Sequence, residues 1–205
     1  MKHDNCTTLN RIHEAGKQEF LKKGFRMASL RNIVKIAGVT TGAFYGYYDS
    51  KEELFHALVG EPYDTIMKIY KEAQERFAKL SPSEQRDNMG KISGDCMACM
   101  MEYIYEHKDE FRLILCCSEG TRYEHMLDEM VEVEIQATHT FADILQQMGY
   151  PAYIMEPQLE HMLVSGMFSA FFEMIIHDVP YAKASEYLRQ LRVFYSAGWQ
   201  KIMGI

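Results

Sequence analysis

The residues from Thr40 to Tyr48 have side chains suited to lying against a polyanion. Thr40, Thr41, Gly42 and Ala43 are small, so that end of a helix could approach a groove closely, with its first backbone N–H groups turned toward phosphate. Tyr45, Tyr47 and Tyr48 follow, with hydroxyls that can reach phosphate oxygens while their rings pack. Arg31, Lys35 and Lys51 add positive charge around them. Tyr48 follows Phe44 by four positions and reads as core, whereas Tyr45 and Tyr47 read as the pair that faces outward to DNA.

Short helices must position these groups. Ser29 stands where an N-cap would open a helix, and Leu30, Ile33, Val34 and Ala37 recur at helical spacing behind it. Gly38 ends that helix, and Thr40 caps the next. Val39 and Phe44 then occupy the positions of a hydrophobic staple, which sets the angle of chain entry. Two short helices about a glycine turn, Leu30–Ala37 and Thr40–Tyr48, make a helix-turn-helix. An earlier helix over Thr8–Lys23 presents Leu9, Ile12, Ala15, Gly16 and Phe20 on one face, with Gly24 as its stop. Gly16 reads as a point of close helix packing. Ser50-Lys51-Glu52-Glu53 has capping-box spacing and opens a fourth helix, which Gly60 and Pro62 are expected to kink or break.

The 205 residues suffice for one or two domains with a substantial core. At 47% hydrophobic and 25% charged, the composition excludes disorder over most of the chain. The net charge of −7 is unevenly spread. Residues 1–55 hold nine Lys/Arg against six Asp/Glu, and residues 56–205 hold 13 against 23. A basic head on an acidic body suggests two jobs. Strand patterns are nearly absent, and further helices are expected over about 62–79, 83–107, 109–118, 122–148, 156–178 and 182–203. The fold is therefore read as all-α, with a head over 1–50 and a larger helical domain over 51–205. The polar start Met1-Lys2-His3-Asp4 has no apolar signal segment. The most apolar stretch, Gly166–Ile176, is short for a membrane span and contains Glu173. A cytoplasmic protein with no membrane partner is expected.

The remaining chemistry-bearing residues mostly have plain structural readings. Cys6, Cys96, Cys99, Cys116 and Cys117 read as reduced thiols. The alternative is a metal or thiol sensor built on Cys96, Cys99, Cys116 and Cys117, but Cys96-x-x-Cys99 falls within a methionine-rich helix rather than a knuckle. His139, His161 and His177 read as hydrogen-bonded core or surface histidines. Glu119-Gly120-Thr121-Arg122 reads as a turn capped by Thr121. Glu129, Glu132 and Glu134 read as a solvated face. Leu159, Met162, Leu163, Gly166, Met167, Ala170 and Met174 form one apolar stripe. Leu188, Leu191, Val193 or Phe194, Ala197 and Ile202 form another, as a four-helix dimer interface would require. No nucleophile–base constellation, phosphate loop or His-Glu-x-x-His run occurs, so an enzyme is not expected, nor any cofactor or metal.

The run from Gly24-Phe25 through Ser29-Leu30-Arg31, Ala37-Gly38-Val39-Thr40-Thr41-Gly42-Ala43-Phe44-Tyr45-Gly46-Tyr47-Tyr48 and Ser50-Lys51-Glu52-Glu53-Leu54-Phe55 closely resembles the TetR family of one-component transcriptional regulators. The resemblance covers roughly the first 60 residues. It implies a three-helix DNA-binding head with its motif at about 29–48, a helical ligand-binding body, and a homodimer formed through the last two helices. Carried over by position, Thr40, Thr41, Tyr45 and Tyr47 face phosphate or bases. Gly42 and Ala43 allow close approach, and Lys51 touches phosphate. Ser29, Arg31 and Gly46 complete the DNA-facing set. Gly46 stands where the family usually has a larger side chain, Ala28 replaces a common Thr, and Pro62 interrupts a helix usually left unbroken. The implied partners are a palindromic double-stranded operator and a small apolar or mixed effector that releases a repressor from it. The effector pocket is expected among Met100, Tyr103, Ile104, Phe111, Leu115, Cys116, His161, Phe168, Phe171 and Phe172.

Overall fold

The computed structural model describes residues 7–205, so the expectations for Met1–Asp4 and Cys6 lie outside the described residues. The described chain is helical without strands and folds as two compact units. The first comprises the chain up to Asp64 together with His107–Glu124. It therefore extends past Ser50 and takes in a distant segment. Its helices are α1 (Thr8–Met27), α2 (Leu30–Ala37), α3 (Thr41–Tyr45), the start of α4 (Lys51–Ala78) and α6 (Lys108–Cys117).

Local signals explain these boundaries. Gly24, at φ 72°, leaves helical geometry and kinks α1 where the glycine stop was expected. Gly38 closes α2 in the left-handed region (φ 62°, ψ 36°), which costs an L-residue but not glycine. Thr40 caps α3, its hydroxyl accepting from the Ala43 N–H at 3.1 Å. The third helix is shorter than Thr40–Tyr48, because the chain leaves it at Gly46 in a tight turn, with the Tyr47 and Tyr48 N–H groups both donating to the Phe44 carbonyl. At α4 the Ser50 hydroxyl accepts from the Glu53 N–H, and the Glu53 carboxylate reaches back to the Asp49 N–H at 2.7 Å. α4 runs unbroken through Pro62, contrary to the expected interruption. Proline removes one helical hydrogen bond. Here Pro62 is itself buried, and burial of Leu58, Val59, Tyr63 and Ile66 on either side holds the helix together.

The core of the first unit is aromatic. Phe20 and Phe55 meet edge to face at 5.1 Å, and Phe25 joins Phe55 at 5.3 Å. Gly16 is buried, and a Cβ there would come within 2.9 Å of Leu54 Cδ2, so α1 and α4 approach closely at that point. α6 packs against α1, with Lys17 and Glu110 paired at 2.6 Å.

The second unit holds the rest of α4 from Thr65, α5 (Pro82–Glu106), α7 (Met126–Gln147), α8 (Pro157–Ile176) and α9 (Tyr181–Met203). Its core includes Met100, Met130, Phe168, Phe171 and Phe172. Gly94 on α5 lies under Arg192 of α9, where a Cβ would come within 2.2 Å of the guanidinium carbon. Buried Glu160 at the start of α8 accepts from Tyr153 at 2.8 Å and pairs with His139 at 2.9 Å, which ties down the 148–156 loop. Among the described residues α8 alone is long and apolar enough to cross a membrane by length and composition. That corrects the shorter stretch read from sequence. Its apolarity has another account in this fold, because Val164, Phe168, Phe171, Phe172 and Ile175 are packed inside the unit.

Candidate nucleic-acid interface and effector cavity

The outward face of α2 and α3 carries most of the expected set. Tyr45 and Tyr47 are 51% and 49% exposed, which leaves both hydroxyls accessible. Arg31, Lys35, Thr40, Thr41, Gly42 and Gly46 are exposed with them, and Ala43 is half-buried. Phe44 turns the other way and is fully buried. Tyr48 is half-buried and hydrogen-bonds His13, so it helps anchor α3 to α1.

Two residues of the set are held differently. Ser29 occupies the N-cap position of α2, but its side chain makes no capping bond. The cap comes from Glu19 on α1, whose carboxylate accepts from the Ser29 N–H at 3.1 Å, from the Asn32 amide and from Lys23 at 2.8 Å. Burial opposes the charge on Glu19, but these three donors together hold its carboxyl below the usual range. Lys51 is drawn inward: its ammonium donates to the carbonyls of Phe25 (2.8 Å), Arg26 (3.2 Å) and Ala28 (3.1 Å). An ammonium has three donors, and all three are spent on the end of α1. In the chain without DNA these three bonds clamp the end of α1 against the start of α4.

The second unit contains a cavity of about 110 Å³ between α4, α5, α7, α8 and α9. Of the expected pocket residues, Met100 and Phe168 line it. Phe171 borders a smaller cavity of about 30 Å³. Ile104 and Phe172 are packed in the core, Tyr103 is half-buried, and His161 is exposed on α8 beside Ser165. Phe111, Leu115 and Cys116 belong to the first unit, as does the 119–122 turn, and none of them lines the cavity.

Glu134, read from sequence as solvated, turns into this cavity. Its Oε2 accepts from the Tyr70 hydroxyl and from the Gln74 amide, the latter at 2.7 Å. Gln74 also donates to the Tyr70 oxygen at 3.2 Å. Burial pushes the Glu134 carboxyl above its usual range, against the pull of these two donors, and it pushes the Tyr70 hydroxyl up as well. Spacing along α7 places Glu134 near Met130, Ala137 and Thr138, of which Met130 and Thr138 are buried, and that was the available signal.

Among the described residues no group of three or more His, Cys, Asp or Glu could hold a metal ion. Cys96 donates to Met100 Sδ at 3.8 Å, and burial pushes its thiol up to about 12, so it behaves as a small hydrophobe. Cys99 and Cys116 are exposed and Cys117 is buried.

Residues 12–58 match the family model described as bacterial regulatory proteins, tetR family. This head segment is similar to the TetR family. The regulator TtgR of Pseudomonas putida is 28% identical over 139 residues, which span 62% of this chain and 62% of that protein. Among solved structures, a TetR-family regulator from Streptomyces coelicolor A3 superposes with a TM-score of 0.56 at 17% identity, covering 90% of this chain and 88% of the other. PfmR of Thermus thermophilus superposes with a TM-score of 0.54 at 18% identity, covering 92% and 95%. These two likenesses carry the TetR fold alone. The family-model match falls on α1 to the start of α4, the segment that carries Tyr45 and Tyr47.

Proposed function

We propose that this chain is a TetR-like, homodimeric, effector-controlled repressor acting in the cytoplasm on a palindromic double-stranded operator. The observation that carries the reading is the exposed face of α2 and α3. Two accessible tyrosine hydroxyls, small threonine and glycine positions and Arg31 lie together there on a head with a surplus of basic residues. In this reading Thr40, Thr41, Tyr45 and Tyr47 meet phosphate or bases, Gly42 and Ala43 permit close approach, and Lys51 and Glu19 hold the motif in place.

Two further features support the reading. Leu159 and Met162 on α8, with Val193, Phe194 and Ile202 on α9, leave large apolar side chains exposed on the single chain, as a self-associating face would. A dimer is what two half-sites about 34–36 Å apart require. The cavity around Met100 and Phe168 offers an apolar, partly polar site for an effector. Effector and operator would then weaken each other's binding by the same factor, as linkage demands.

The test is a fluorescence-anisotropy titration of the protein's own upstream DNA against a scrambled duplex at fixed salt. Saturable, sequence-specific binding by two protomers supports the reading. Tyr45→Ala is expected to weaken binding by about tenfold, the worth of a hydroxyl–phosphate hydrogen bond. Unchanged affinity in that variant would show that α3 is not the reading helix.

A further inference from the structure

The charge inside the cavity constrains what can occupy it. Of its described lining residues Glu134 alone is an acid, and no lysine, arginine or histidine lies among them. Both described bonds to its carboxyl fall on Oε2, so Tyr70 and Gln74 orient the group without covering Oε1. The rings of Phe77, Phe141, Phe168, Tyr195 and Trp199 line the same cavity. A carboxylate taken out of water without a cation is expensive, and a ligand that supplies the cation removes that cost. Aromatic faces add attraction for the same charge. An anionic ligand would meet Glu134 with no compensating group on the wall.

We propose that the cavity selects a small amphipathic organic cation, an aromatic or hydrocarbon body bearing one ammonium group, with Glu134 as its counter-charge. The proposal rests on the reading of this cavity as the effector site. It names the ligand class: the ammonium pairs with Glu134 Oε1, and the body lies against Met100, Phe168 and Trp199. Tyr70 and Gln74 act as positioning residues that fix the carboxylate.

The chain contains one tryptophan, and it lines the cavity, so occupancy can be read from Trp199 emission. The full-length protein is titrated at neutral pH with 4-phenylbutylamine, 4-phenylbutanol and 4-phenylbutyrate, which share a body and differ in charge. The amine is expected to bind about tenfold tighter than the alcohol, and the carboxylate weakest. Glu134→Gln, which keeps the shape and an acceptor for Tyr70 and Gln74, is expected to lower amine affinity by about tenfold and to leave the alcohol unchanged. The ranking on the unaltered protein needs no variant to fold. If the alcohol or the carboxylate binds as tightly as the amine, or if Glu134→Gln leaves amine binding intact, the ligand class is overturned while the cavity stands as an effector site. If none of the three probes moves the Trp199 signal, the effector-site reading falls together with this inference.

Discussion

The ammonium of Lys51 lies 2.8 Å from the Phe25 carbonyl oxygen and 4.6 Å from the centre of the Phe25 ring. With its other donors on Arg26 and Ala28, it closes the end of α1 against the start of α4. Lys51→Met should therefore act through the fold. Three carbonyls lose a charged donor, and unfolding free energy should drop by about 2–3 kcal/mol in urea denaturation. Arg31→Ala should do the reverse: stability is unchanged, and the slope of log affinity against log salt falls by about 1, as for one lost phosphate contact. A reduced salt slope with undiminished stability in Lys51→Met would return Lys51 to the phosphate-contacting set.

Glu19 links α1 to α2 through an ion, and that link is sensitive to acid. Its folded-state carboxyl is held below the usual range. The stability it adds is therefore present above the ordinary carboxylate pKa and is lost as pH falls through the depressed value. Glu19→Gln should cost about 1–3 kcal/mol at neutral pH. The gap between variant and parent should narrow as pH is lowered below the carboxylate range, as measured by thermal unfolding at a series of pH values. A gap that widens on acidification would contradict the depressed pKa.

Two glycines of the motif should respond in opposite directions. Gly38 has φ 62°, and a Cβ there meets nothing closer than Arg11 Nη1 at 3.8 Å, so any penalty is conformational. Gly38→Ala should destabilise the head by about 1–2 kcal/mol, the cost of a left-handed L-residue. Gly46 has φ −75° and ψ −13°, and a Cβ there would meet the Ala43 carbonyl at 3.4 Å and the Gly42 carbonyl at 3.8 Å. Gly46→Ala should gain up to about 1 kcal/mol by restricting the unfolded chain. Guanidinium titrations of the two variants, compared with the parent, check both signs.

Phe194 is 71% exposed on α9 next to Val193, also 71% exposed. If this face joins two protomers, Phe194→Glu buries an unpaired charge in the dimer and almost nothing in the single chain. Sedimentation should then show a monomer, with helical content retained and the monomer's own stability within about 0.5 kcal/mol. An unaltered dimer would place the interface elsewhere.

Much of the fold was legible because its signals are local. The bounds Leu30–Ala37, the left-handed Gly38 and the Thr40 cap each depend on residues within one or two helical turns. Helical periodicity likewise marked most of the later elements to within a few residues. The exposure of Tyr45 and Tyr47 agrees with their helix-turn-helix context, whereas helical spacing alone would put Tyr47, three positions after the buried Phe44, on the same face.

Periodicity says that a side chain turns inward; it does not say whether that side chain fills the core or borders a void. So Met100 and Phe168 line the cavity while Ile104 and Phe172, equally apolar and equally well spaced, are packed solid. The same limit explains Pro62, where burial on both sides outweighs one lost hydrogen bond within α4. It also explains Lys51, whose partners lie 23 to 26 positions away, and Glu19, which reaches Ser29 and Asn32 10 and 13 positions away. Residues 1–60 by themselves determined a helix-turn-helix head, through caps, turns and spacing. Only the tertiary structure decided that Glu134 meets Tyr70 and Gln74, 60 or more positions away, inside a cavity, because desolvation and convergent donors arise only once distant helices pack.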